Sequence, residues 1–192
     1  MARPKQFDPD QAVETAMDLF WTRGYHGATP AGIVAALGLG KGSVYNAFGS
    51  KGGLFEAALR RYGEMRIASL RRALDAPGSA RQRLAATLHL LSAPERAHLR
   101  QRGCLAVNSV SDVEDRRDLV HEIVRNIFRR MQDALSAVVA EGQRSGELKD
   151  EKAPDEIAGA LLAALLGMSV LGRLGTPGAQ LKVIADALIA GL

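Results

Sequence analysis

Between Thr29 and Phe48 the chain sets two short apolar-faced segments around a glycine-rich turn, and leaves over residues of the kinds that meet phosphates and base edges. Ile33 and Leu37 on the first segment, with Val44 and Phe48 on the second, recur at helical spacing and can close a small core. Lys41, Ser43, Tyr45 and Asn46 then face outward. Gly38 and Gly40 let the backbone turn sharply between the segments. The amides that open the second segment attract an anion, because their N–H groups lack helical partners and sit at the positive end of the helix dipole. Short helix, tight turn, short helix is the geometry that sets a second helix into the DNA major groove. An ordinary three-helix packing unit shows the same features, so the residues alone leave both readings open.

Other chemistry finds less support. There is no glycine-flanked serine elbow and no His-Glu-x-x-His pattern, and His26, His89, His98 and His121 are dispersed without metal-ligand spacing. Gly38-Leu39-Gly40-Lys41-Gly42-Ser43 is superficially like a phosphate-binding loop, but Gly42 separates lysine from serine and Ala35 stands where that loop needs glycine. Cys104 with His98 or His121 is the one thin route to a nucleophile. The expectation is a protein that is not an enzyme and needs neither cofactor nor metal.

The elements that must hold these residues are all helical. Prolines and glycines cut the chain into stretches of helical periodicity, and none reads as a strand, so the fold class expected is all-α. Val13, Ala16, Met17 and Phe20 make one face of a helix from Asp8 to Arg23, with Asp8 as cap, Pro9 at its first position and Gly24 as its end. Thr29-Pro30 opens a second helix that Gly38 stops. A third spans Lys41–Phe48, and a fourth runs from about Lys51 to Leu74 on the apolar positions Leu54, Phe55, Ala58, Leu59 and Tyr62. Further segments are expected near 80–91, 102–112 and 115–144, and after Pro154 and Pro177. The long stretch carrying Leu119, Ile123, Ile127, Met131, Leu135 and Val138 is a scaffold helix.

Composition sets the outer limits. The 192 residues are 47% apolar with a formal charge of +4, enough for a core without staples. The lone Cys104 rules out an intrachain disulfide, and no apolar leader run follows Met1, which points to the cytoplasm. The basic excess is local: residues 51–102 carry 11 lysines and arginines against 4 acids. Residues 157–172 are uncharged, yet sixteen residues diluted with glycine and alanine fall short of the ~20 that a bilayer asks. A helix buried on several sides, and no membrane, is the better reading. Gly159, Ala163 and Gly167 lie four apart on it, and Leu181, Ile184 and Leu188 line the last helix, so these two are the expected subunit contact.

The head resembles the TetR family of transcriptional repressors. The resemblance is carried by Phe20, Gly24, Tyr25, Gly27, Thr29, Ile33, Ala36, Gly38, Leu39, Lys41, Gly42, Ser43, Tyr45, Phe48, Ser50, Lys51, Leu54 and Phe55, over about residues 8–60. It implies an N-terminal helix-turn-helix domain at 1–50, joined by a long helix to a ligand-binding and dimerisation domain at 51–192. It also implies a homodimer on a palindromic double-stranded operator, released by a small-molecule inducer. Carried over by position, Thr29 resembles the capping residue that contacts phosphate, and Lys41, Gly42 and Ser43 open the recognition helix. Tyr45 resembles the phosphate-contacting tyrosine, and Lys51 the lysine that meets the backbone. Val44 and Asn46 occupy nearby recognition positions, Val44 being equally a core candidate. Arg3 and Lys5 form either a DNA-contacting arm or a solvated tail. Gly40, Ala47 and Gly52 depart from the residues relatives often carry there.

Gly103-Cys104-Leu105 and Asn108 resemble a motif of one branch, some of whose members sense electrophiles or oxidants at cysteine. Arg100 and Arg102 are the basic neighbours that a reactive thiolate wants, although a small apolar-helix cysteine is commonly core. His89, Asn108, His121 and Ser169 are further pocket candidates. Two other readings stand beside regulation: a helical ligand- or protein-binding module without DNA binding, and an electrophile or redox sensor acting through Cys104.

Overall fold

The computed structural model describes residues 8–112 and 117–192, and every regular element among them is helical. In chain order these are α1 (Pro9–Gly27), α2 (Pro30–Leu37), α3 (Lys41–Phe48), α4 (Lys51–Leu74), α5 (Ala80–His89), a 3-10 turn (Pro94–Arg96), α6 (Ala97–Arg102), α7 (Leu105–Asp112), α8 (Arg117–Arg144), α9 (Pro154–Arg173) and α10 (Gly178–Ala190). They form two compact units. The first holds the described residues up to Glu64 together with those from Leu105 to Val124, and the second holds Met65–Cys104 with Arg125–Leu192.

The local signals in the first unit act as their chemistry dictates. Asp8 caps α1 by accepting the Asp10 N–H at 2.9 Å, and Pro9 follows where a missing N–H costs nothing. Gly24 breaks the helical path at φ 70°, ψ 172°, so the last turn of α1 is set off from the rest. Phe20, Phe55, Leu54, Ala58, Leu59 and Tyr62 are buried, with Phe20 edge-on to Phe55 and Trp21 edge-on to Tyr62, both at 5.0 Å. Full burial of such a side chain is worth about 1.5–3 kcal/mol. Leu105 and Ala106 complete this core from α7, which packs on α1.

The second unit is built on α5, α6, the later part of α8, α9 and α10. Leu84 and Leu88 of α5 and Leu181 and Ala185 of α10 are buried where those two helices pack. Ser79 and Gln82 form a reciprocal capping box at the start of α5. The short α6, unanticipated because six residues are too few to show a period, lies between Pro94 and the left-handed Gly103.

α9 corrects one expectation. It runs 20 residues from Pro154 to Arg173, so by length and composition it does reach a bilayer's requirement; counting only its charge-free middle understated it. Its inner face, Ala158, Leu161, Leu165 and Met168, is buried, and the helix packs against α6 and α10. Ala160, Ala163, Gly167, Val170 and Leu171 are exposed, so the expectation of burial on several sides is corrected to burial along one face.

Candidate nucleic-acid interface

The turn between α2 and α3 is built by residues whose roles are now visible. Thr29 is exposed and caps α2, its hydroxyl accepting the Gly32 N–H at 3.1 Å. Ile33 of α2 is buried, and Gly38 ends the helix in the left-handed region at φ 63°. Gly40 stands at the N-cap of α3 with no side-chain capping bond, so the first amides of α3 are left for an incoming acceptor.

α3 divides cleanly into two sides. Lys41, Gly42, Ser43 and Asn46 are exposed and Tyr45 is half-buried, whereas Val44 is fully buried. The placement of Val44 among groove-facing residues is therefore corrected: its side chain is in the core of the first unit and holds α3 from behind. Arg3 and Lys5 lie outside the described residues.

After α3 the chain turns through Gly49, at φ 73°, into α4. Ser50 Oγ accepts the Gly53 N–H at 3.1 Å, capping α4. A Cβ at Gly53 would run into the carbonyl oxygen of Phe48, so only glycine allows this approach. Lys51, half-buried at the start of α4, holds its ammonium over the ring of Tyr25, 4.4 Å from the centroid. Such a cation–π contact is worth about 0.5–1 kcal/mol where partly exposed. Burial holds the Lys51 ammonium below the usual lysine pKa range. Tyr25 itself is stacked with Phe20 and edge-on to Phe55, and its N–H donates to Asp112 Oδ2 at 3.4 Å. Sequence reasoning missed Gly53, the ring under Lys51, and Asp112. The last carries no sequence signal toward Tyr25, being 87 positions away.

With this geometry in hand, likeness to known proteins becomes specific. Residues 12–58 match the family described as bacterial regulatory proteins, tetR family, and residues 75–188 match the tetracyclin repressor-like C-terminal domain. The chain belongs to the TetR family. It is a helix-turn-helix transcriptional regulator. Among similar solved structures is a cysteine-substituted form of the TetR-family regulator CifR complexed with 26-bp double-strand operator DNA. It is 30% identical, with a TM-score of 0.85, and the match covers 98% of each chain. The transcriptional repressor ComR of Escherichia coli K12 is 27% identical over 188 residues, covering 97% of this chain and 90% of ComR. The repressor BdcR of the same organism is 42% identical over 60 residues, 31% of this chain and 30% of BdcR.

Two of the residues proposed for a ligand pocket have described polar neighbours. His89 Nε2 is paired with Asp186 Oδ1 at 2.7 Å, and His121 Nε2 lies 3.3 Å from the carbonyl oxygen of Val110. Cys104 and Asn108 are half-buried, and the buried Ser169 Oγ has no hydrogen-bond partner among the described residues. His89, Cys104 and Ser169 belong to the second unit, Asn108 and His121 to the first. A cavity of about 540 Å³ in the second unit is lined by Ile157, Leu161, Leu188 and Leu192 together with Lys149 and Lys152.

The residues expected at a subunit contact also separate. Ala163 and Gly167 are exposed, Gly159, Ile184 and Leu188 are half-buried, and Leu181 is fully buried. Leu181 is corrected to a core residue of the second unit. Val170, Leu171, Leu174 and Val183 are large apolar side chains left exposed on or just after the same two helices.

Proposed function

We propose that the protein is a repressor that binds a palindromic operator as a homodimer and leaves it when a small molecule binds. The observation that carries this reading is the two-sided α3: a polar outer side of Lys41, Gly42, Ser43 and Asn46, held from within by Val44 and started by uncapped amides. Thr29, Tyr45 and Lys51 are the proposed phosphate contacts, and Asn46 with Ser43 the candidates for base edges. Arg3 and Lys5 are proposed to add contacts from the arm. In this reading residues 1–50 carry DNA binding and 51–192 carry ligand binding and dimerisation, in the cytoplasm.

The dimer is proposed to form through the outer faces of α9 and α10, where Ala163, Gly167, Val170 and Val183 are exposed without a partner of comparable apolarity in water. Two recognition helices then have to stand roughly 34–36 Å apart to enter successive major grooves. An inducer releases the operator by favouring another separation, and moving the balance from 1:99 to 99:1 takes about 5.5 kcal/mol of differential affinity. His89, Cys104, Asn108, His121 and Ser169 remain the proposed sensing residues.

Selection of bound sequences from random double-stranded DNA by the purified protein tests this directly. An enriched palindrome with half-sites about one helical turn apart is expected. Enrichment of no sequence, with no retention of any duplex at low salt, overturns the reading.

A further inference from the structure

The head is braced by a side chain from far along the chain. Gly24 leaves the helical path, and immediately after this break the Tyr25 N–H meets Asp112 Oδ2 at 3.4 Å, at the end of α7. A side chain at position 24 would collide with that same carboxylate, its Cβ 2.9 Å from Oδ2, so glycine here serves both the positive φ and the approach of Asp112. On the other side of Tyr25, the ring supports the Lys51 ammonium. The three residues belong to one compact unit, and α7 packs on α1 within it.

We propose that Asp112 is a positioning residue for DNA binding: it fixes Tyr25 so that the ring holds the Lys51 ammonium ready for a backbone phosphate. A long lysine side chain otherwise spreads over many rotamers, and each must be given up on binding. A ring held in place from the backbone side removes part of that loss before DNA arrives. The inference rests on the proposed phosphate contact of Lys51. It goes beyond that contact in making α7, whose first residue follows Cys104 directly, part of the DNA-binding apparatus.

Operator affinity measured by fluorescence anisotropy across a salt series tests it, in wild type, Asp112→Ala, Asp112→Asn, Lys51→Met and the Asp112→Ala/Lys51→Met double variant. Removing one phosphate contact flattens the slope of log affinity against log salt by about 0.9. Asp112→Ala is expected to weaken binding by up to about tenfold at an unchanged slope, because Lys51 still reaches its phosphate and only the ordering cost rises. Asp112→Asn keeps an acceptor oxygen and is expected to restore most of the affinity. The double variant is expected to match Lys51→Met. An Asp112→Ala protein with wild-type affinity, or one whose loss adds in full to that of Lys51→Met, overturns the role of Asp112. A Lys51→Met protein with the wild-type slope overturns the phosphate contact itself, a separately recognisable failure. Melting temperatures accompany each variant, and Asp112→Ser, too short to reach Tyr25, replaces Asp112→Ala should that variant not fold.

Discussion

The carbonyl oxygen of Phe48 occupies the space that any side chain at Gly53 would need. The junction between α3 and α4 therefore closes only around a hydrogen at that position. Gly38 is the useful contrast, since it is left-handed at φ 63° with nothing within 4 Å of a would-be Cβ. Gly38→Ala is expected to cost about 1–2 kcal/mol from backbone strain alone, and Gly53→Ala about 1–3 kcal/mol from overpacking against backbone that cannot move aside. Denaturant unfolding measures both. Gly53→Ala should also lower operator affinity, because Ser50 and Lys51 move with the junction; unchanged affinity and stability would show that the junction tolerates a methyl group.

Lys41 and Val44 stand three positions apart on α3 and should fail in different ways. Lys41 is exposed, so Lys41→Ala is expected to weaken operator binding, reduce the salt slope by about one, and leave thermal unfolding unchanged. Val44 is fully buried, and Val44→Ala is expected to lose about 1–3 kcal/mol of stability. The salt slope of its folded fraction should match wild type. A Val44→Ala protein of full stability that has lost a DNA contact would return this residue to the groove-facing set.

Asp186 joins α5 to α10 through His89 and also takes the ammonium of Lys182, at 2.7 Å in each case. Hydrogen bonds from Lys182 first and His89 second hold its carboxyl below the usual value of 3.8. A carboxylate depressed in the folded state stabilises the protein above its unfolded pKa, and that stabilisation is lost as pH falls through the folded one. Asp186→Asn is thus expected to be slightly less stable than wild type at neutral pH, with the gap closing as pH drops below 3.8. Its exposed position, open to solvent screening, keeps the effect small. Thermal unfolding of both proteins between neutral pH and the acid limit checks it, and a gap that widens in acid would contradict the pairing.

Charge placed on the exposed sides of α9 and α10 should separate the proposed dimer into monomers. Gly167→Glu and Val183→Glu each add a carboxylate where the protomer leaves open space or a 67% exposed valine. Sedimentation is expected to show monomers with native helicity by circular dichroism. Operator affinity should fall about a hundredfold or more as the second half-site loses its tethered partner. Variants that remain dimeric with wild-type affinity would place the subunit contact elsewhere.

Much of the head was legible because its determinants are local. Asp8, Pro9, Thr29, Pro30 and Gly38 act within one turn of where they stand, so type and spacing were enough to set the start of α1 and both ends of α2, whereas α1 continues past the break at Gly24 to Gly27. The outward side of α3 followed from the same periodicity. Tertiary packing alone decided the rest. Periodicity assigns a residue to an apolar face but not to the partner that covers it, and so Leu181 proved to be core, while burial decided for the core between the two readings that spacing had left open for Val44. The bond from Asp112 to the Tyr25 amide and the collision awaiting a side chain at Gly53 depend on how distant or turning backbone is brought together in space. The ring beneath Lys51 is a meeting of residues 26 positions apart, for which no spacing rule exists.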